Sequence, residues 1–433
     1  MQLPSLAFLL YFMPIVLLLA VIFKGRYRLL VLSGAGLVYC AMQGLPLLSL
    51  MIGSVAGSWL TLRLMRRSAA EKKRNGILLM IGLLLQCGIL TAAKMLLPFP
   101  PIPLVICVMQ AADCLLQRYR GNWALPSLFA YGGYQFSLTR LWAGPVFSWQ
   151  EYTVMIQQPK GSLVRFGKGI TDWIAGFAKL LLIAVPMFSL RQMLVEKAAM
   201  NTLTALGAWF GLLVMFLAVF YGLGGAAQMG QGIANMLGYS YEDAGFEYAG
   251  RRIFSFVSLM QWAKRVFFSD GIAGTLLLRL LLLLSAGGLL FGCGWNGLLW
   301  AGMLMLILLA ERMAASKWRQ KMPVLIRKIC NGVLLLLSLG AIGTATLKEA
   351  LGYYMALLGA NGFWLDHDII YAIRSEWIVL AVGVLLLFPL REAWERKSEK
   401  SKIRVWLYAI GAPIIQFALL VLCIAQLLLL SNG

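Results

Sequence analysis

Along most of the chain, apolar runs of roughly 17–25 residues, the length a helix needs to cross ~30 Å of hydrocarbon, alternate with short polar turns. The runs fall near residues 3–23, 28–43, 45–65, 77–97, 101–117, 126–144, 170–190, 203–225, 274–291, 294–311, 325–345, 376–391 and 405–431. They do not alternate apolar and polar as strands would, and backbone groups in lipid must find their partners within the segment. The expected fold class is therefore an all-α polytopic membrane protein. With 61% of residues hydrophobic and 13% charged, a soluble globular domain is excluded.

The net charge of +21 does not point to nucleic acid, because the cations lie in short loops between the spans. Lys24, Arg26 and Arg28 occupy one loop, Arg63, Arg66, Arg67, Lys72, Lys73 and Arg74 the next basic one, and further clusters follow at 312–328 and 391–404. Cytoplasmic loops carry such excess Lys and Arg. The first two basic loops bracket one helical hairpin, which predicts a multi-pass protein of the plasma membrane with its N-terminus outside. Segment 3–23 lacks a basic n-region and a small-residue cleavage site, so it reads as a retained helix. The seven cysteines have no metal-ligand spacing and read as buried thiols, and no metal is expected.

The richest stretch for function runs from Phe216 to Gly297. Its glycines let helices approach closely and leave room for a tunnel or a bound chain. Between its two Gly-rich segments lies a basic and aromatic patch containing Arg251, Arg252, Trp262, Lys264 and Arg265. Such a patch suits an interfacial anchor to anionic lipid. It equally suits a mouth for the phosphates of an acyl carrier, which also need positive charge.

Several ordered motifs carry a resemblance. Leu6 to Pro14 followed by Arg26 to Leu30 opens it, and Leu141-Trp142-Ala143-Gly144-Pro145 with Phe166-Gly167-Lys168-Gly169 through Gly176 and Lys179 continues it. Phe220-Tyr221-Gly222-Leu223-Gly224-Gly225 to Gln228-Met229, then Gln261-Trp262-Ala263-Lys264, then Gly294-Trp295-Asn296-Gly297 complete it. In this order they resemble the membrane-bound O-acyltransferase superfamily, most closely its alginate O-acetyltransferase branch, over roughly residues 1–360. The polar positions depart from the pattern. Gly222 and Gln228 stand at the family's acidic positions and Gly224 at its first serine. Ala263 stands at the second histidine, and Asn296 at the histidine presumed to be the catalytic base.

The resemblance implies a single membrane domain over 1–433 with about 11–13 membrane-crossing helices, re-entrant segments and a central tunnel. It would comprise an N-terminal helical block (1–120), a tunnel-forming core (121–311) and C-terminal helices (312–433). Gly222, Gly224, Gln228, Trp262 and Trp295 would line the tunnel, and Arg251, Arg252, Lys264 and Arg265 would meet an acyl donor or lipid headgroups. The implied donor is an acyl thioester such as acetyl-CoA, with no cofactor held permanently. The implied partners are the bilayer and an extracytoplasmic acetyltransferase or other polysaccharide-modifying protein.

Attack of a hydroxyl on a thioester needs a proton acceptor, and histidine suits that role because its pKa lies near neutrality. Asn cannot take a proton, although an amide can donate to an oxyanion or hold a carbonyl. The single histidine, His367, sits in Trp364-Leu365-Asp366-His367-Asp368, which reads as a solvated loop. Two functions follow. One is a catalytically impaired scaffold or acyl-channel partner in O-acetylation of an exported polysaccharide. The other is an active O-acyltransferase in which Asn296 orients substrate. A transporter would need paired broken helices and inverted repeats, and no internal repeat is present.

Overall fold

The computed structural model describes residues 8–65, 72–97, 102–120, 125–141, 148–157, 161–239, 299–300, 302–303, 332–333, 336–342, 344, 346–360, 367–387 and 402–432. These residues are helical, with no strand among them. Five helical stretches among them are long and apolar enough to cross a membrane: Leu45–Leu64, Lys72–Ala93, Leu163–Ala199, Ala205–Met236 and Gly411–Leu430. The protein is an all-α polytopic membrane protein. By backbone packing it forms two units, residues 1–177 with 223–282, and residues 178–222 with 283–433.

In the first unit, a π-helical turn at Phe8–Phe12 leads into α1 (Met13–Ile22), α2 (Arg26–Met42), α3 (Leu45–Leu64), α4 (Lys72–Leu96) and α5 (Ile102–Tyr119). Gly44 joins α2 to α3 at a φ of 130°, a conformation that side chains resist, so the hairpin can be tight. α3, α4 and α5 pack against one another, and α5 is buried all round from Pro103 to Leu116. A helix buried on every side belongs at the centre of its block. Polar side chains of α3 fasten its neighbours: Ser54 Oγ donates to Gln86 Oε1 of α4 at 2.6 Å, and Ser58 Oγ meets the hydroxyl of Tyr131, later in the chain, at 2.9 Å.

The run at 126–144 is not one span in the described residues. It forms α6 (Leu128–Gln135), opened by Ser127 Oγ accepting from the Ala130 N–H, and α7 (Leu138–Leu141). The break at Phe136 packs against α2. A Cβ on Gly36 would overlap the Phe136 carbonyl, so the interrupted backbone seats directly on that glycine. Hydropathy registers the apolar residues and misses this seat. α8 (Trp149–Gln157) follows, its start closed by Ser148 and Glu151, whose carboxylate accepts from the Ser148 N–H at 2.6 Å.

α9 (Leu163–Ala178) and α11 (Ala205–Met236) each begin or end in one unit and continue into the other. In the second unit a π-helical turn at Lys179–Ala184 leads to α10 (Val185–Ala199), with α12 (Leu347–Leu357), α13 (His367–Ser375), α14 (Trp377–Leu385) and α15 (Lys402–Asn432) later in the chain. Its core gathers Leu194, Ala198, Leu203, Ala208, Leu212, Tyr353, Ala356 and Ile369. Arg191 lies within it, 2% exposed, donating from Nη2 to the Gly340 and Ile342 carbonyls at 2.8 and 3.2 Å. Its guanidinium sits 4.1 Å from the centre of the Tyr353 ring. Five of the cysteines, 40, 87, 107, 114 and 423, are free thiols.

Candidate functional site

The site is set by how α9 meets the second half of α11. A Cβ on Gly169 would stand 2.6 Å from the Gly232 carbonyl, and one on Gly176 would stand 2.5 Å from the Gly225 carbonyl. The two glycines are seven residues apart on each helix and pair in opposite order, so the helices cross antiparallel with their backbones in contact. Small residues at a membrane crossing allow this approach, and only glycine removes the Cβ altogether.

Close approach brings polar side chains of both helices into one dry layer. Asp172, three residues beyond Gly169, is 2% exposed and accepts a hydrogen bond from Asn235 Nδ2 at 3.3 Å. Gln228, Gln231 and Asn235 are all buried, and their spacing of three and four puts them on one face of α11. Trp173, next to Asp172, stacks on Phe177 with ring centres 5.2 Å apart. An ionisable residue buried in a membrane helix is costly and faces the protein interior, where it can hold a partner or a substrate. Among these side chains Asp172 brings the carboxylate; Gln228, Gln231 and Asn235 end in amides.

The C-terminal end of α11 is closed by cations. Gly238 adopts a φ of 80°, the left-handed conformation common just past a helix end. Arg28 Nη1 donates to the Leu237 carbonyl at 3.0 Å and its guanidinium lies 6.0 Å from the Tyr239 ring centre, while Arg165 Nη1 donates to the Gly238 carbonyl at 3.4 Å. Carbonyls at a helix end carry partial negative charge, which these guanidinium groups satisfy.

Of the residues expected from sequence to line a tunnel, Gly222 and Gln228 are buried on α11 and Gly224 is half-buried on the same helix. Trp262, Ala263, Trp295, Asn296 and the basic set Arg251, Arg252, Lys264 and Arg265 lie outside the described residues, as does Gly144-Pro145. His367 is exposed at the start of α13, and its neighbour Asp368 pairs with Lys197. Sequence reasoning passed over Asp172, Gln231 and Asn235. The available signal was the matched seven-residue glycine spacing at 169/176 and 225/232, which marks the faces that meet.

No family model matches the chain. Curated proteins do. The probable alginate O-acetylase AlgI of Pseudomonas syringae is 23% identical over 436 residues, covering 92% of this chain and 83% of that protein. Its counterpart in Pseudomonas aeruginosa is 22% identical over 435 residues, 90% of this chain and 82% of that protein. That of Azotobacter vinelandii is 24% identical over 330 residues, 68% of this chain and 66% of that protein.

Proposed function

From a chain related over most of its length to the alginate O-acetylases, a branch of the membrane-bound O-acyltransferases, we propose that this protein serves O-acetylation of an exported polysaccharide at the plasma membrane, with its N-terminus outside. In this reading it is a scaffold or acyl-channel partner and is impaired in catalysis. Gly222, Gly224, Gln228, Trp262 and Trp295 line the acyl passage. Arg251, Arg252, Lys264 and Arg265 meet the phosphates of a donor such as acetyl-CoA or of lipid headgroups. An extracytoplasmic acetyltransferase completes transfer to the polymer.

One observation carries this reading. The chain has a single histidine, and it is exposed on α13, while in the motif resemblance Asn296 and Ala263 stand where the family has its histidines. Positioned general-base catalysis contributes roughly 10²–10⁴-fold, and neither an amide nor a methyl group supplies it.

The test is the acetyl content of the exported polysaccharide in cells lacking this protein, complemented with wild type, Asn296→Ala or Asn296→His. Equal restoration by wild type and Asn296→Ala supports a partner role. Restoration by wild type alone makes Asn296 part of a working site and removes the impaired reading. No loss of acetyl groups on deletion removes the assignment to polysaccharide acetylation.

The buried Asp172 favours a second reading. An active O-acyltransferase would move acetyl groups from a cytoplasmic donor to an extracytoplasmic polysaccharide or carrier protein, with Asn296 orienting the substrate and a proton acceptor other than histidine.

A further inference from the structure

The polar residues of α5 take no part in the α9/α11 crossing. Gln110, Asp113 and Gln117 recur at intervals of three and four, which places them on one side of the helix. Gln110 and Asp113 are each 1% exposed. From Gln117 to Arg120 the same helix becomes half-buried. Gln117 Nε2 donates to Asp113 Oδ2 at 3.1 Å, and Arg120 interacts electrostatically with the same carboxylate.

Further in, the hydrogen bonding is incomplete. Gln110 makes none through either atom of its amide, and Gln117 Oε1 and Gln135 Oε1 are buried without a partner. Cys107 and Cys114 lie three before and four after Gln110 on the same side of α5, and Cys107 Sγ reaches Ser54 Oγ at 3.7 Å, one turn before Ser58, which meets the Tyr131 hydroxyl at 2.9 Å. That hydroxyl accepts from Gln135 Nε2 at 2.9 Å.

An amide at this depth is costly unless something bonds to it, and lipid cannot. We propose that this side of α5 is a hydrated well. It admits water at the half-buried Gln117–Arg120 end and holds ordered water against Gln110, about 10–15 Å along the axis at roughly 1.5 Å per residue. The chemistry selects the occupant. Unpartnered donor and acceptor atoms together suit a molecule that both gives and takes hydrogen bonds. The Asp113 carboxylate opposes an anion, and Arg120 beside it opposes a cation. The consequence is that Asp113, buried inside a membrane block, is reached by water from the basic end of α5.

Radiolytic hydroxyl labelling of the intact protein in lipid nanodiscs tests the well. Bound water generates radicals in place, so Tyr131 and Cys114, both without solvent exposure, are expected to be oxidised, each relative to the intrinsic reactivity of its side chain, several-fold faster than Met51 and Met187, which are equally buried and outside the well. In Gln110→Met, apolar and close in volume, the Tyr131 rate is expected to fall to that of Met51 and the Tm to drop. A dry interior gives the opposite result: Tyr131 and Cys114 label no faster than Met51, and removing an unbonded amide raises the Tm. Either of these outcomes overturns the proposal. If Gln110→Met does not fold, the wild-type comparison decides alone.

Discussion

Gly169 and Gly232 touch backbone to backbone, each so placed that a Cβ would stand 2.6 Å from the other's carbonyl oxygen. The obstacle is main chain on a packed helix, which cannot turn aside as a flexible side chain can. Gly169→Ala and Gly232→Ala are each expected to destabilise the protein by about 1–3 kcal/mol, the usual cost of overpacking, seen as a lower Tm in detergent. Gly167→Ala is the internal control. It lies on the same helix with nothing within 4 Å of its added methyl, so its Tm should stay level or rise slightly through better helix propensity.

Asp172 separates structural from chemical roles. Asn keeps the shape and an oxygen that accepts from Asn235 Nδ2, so Asp172→Asn is expected to leave the Tm nearly unchanged. Asp172→Leu loses the interhelical bond, worth roughly 0.5–2 kcal/mol in membrane proteins. If the protein is a scaffold, Asp172→Asn restores polysaccharide acetylation in deletion cells. Loss of acetylation with an unchanged Tm supports the active reading, since only the proton-accepting capacity has been removed.

Arg191 holds the turn at 340–342 through two buried carbonyls and the face of Tyr353. Lysine has neither the forked donors nor the flat face for stacking. Arg191→Met is expected to cost on the order of 2–4 kcal/mol by leaving both carbonyls unsatisfied, and Arg191→Lys to recover only part of it. Gly211→Ala should reproduce the defect without touching the charge, because its methyl would lie 2.9 Å from Arg191 Nη1 and 2.6 Å from the Tyr353 hydroxyl. Thermal unfolding of the three variants side by side checks this.

The Lys197–Asp368 pair is a surface pair, its side chains 18% and 68% exposed. Such pairs contribute about 0–1 kcal/mol and weaken with salt. Asp368→Ala is expected to shift the Tm little at low salt and not at all at high salt. His367→Ala should leave acetylation in complemented cells at the wild-type level, because its imidazole is exposed at the start of α13.

How much of this was legible beforehand varied by residue. The spans over 45–65 and 77–97 were visible as unbroken apolar length, and both are helices, Leu45–Leu64 and Lys72–Leu96. The run at 126–144 is also apolar and is broken at Phe136, and its seat on Gly36, remote in the chain, was not visible beforehand. The glycines of the 216–297 stretch pointed to close approach. Which of them make it, Gly225 and Gly232, depended on the register of α9.

By itself the sequence determined that this chain is helical and crosses a membrane several times. Each residue's preference for lipid over water is its own property, and lipid forces every spanning backbone to bond within its segment. Only the tertiary structure decided that Asp172 is buried against Asn235. The two are 63 residues apart in the chain, and their meeting rests on two glycine pairs removing the side chains that would otherwise hold the helices apart. Burial of a charge is a property of what surrounds it, and those surroundings exist only once the helices have packed.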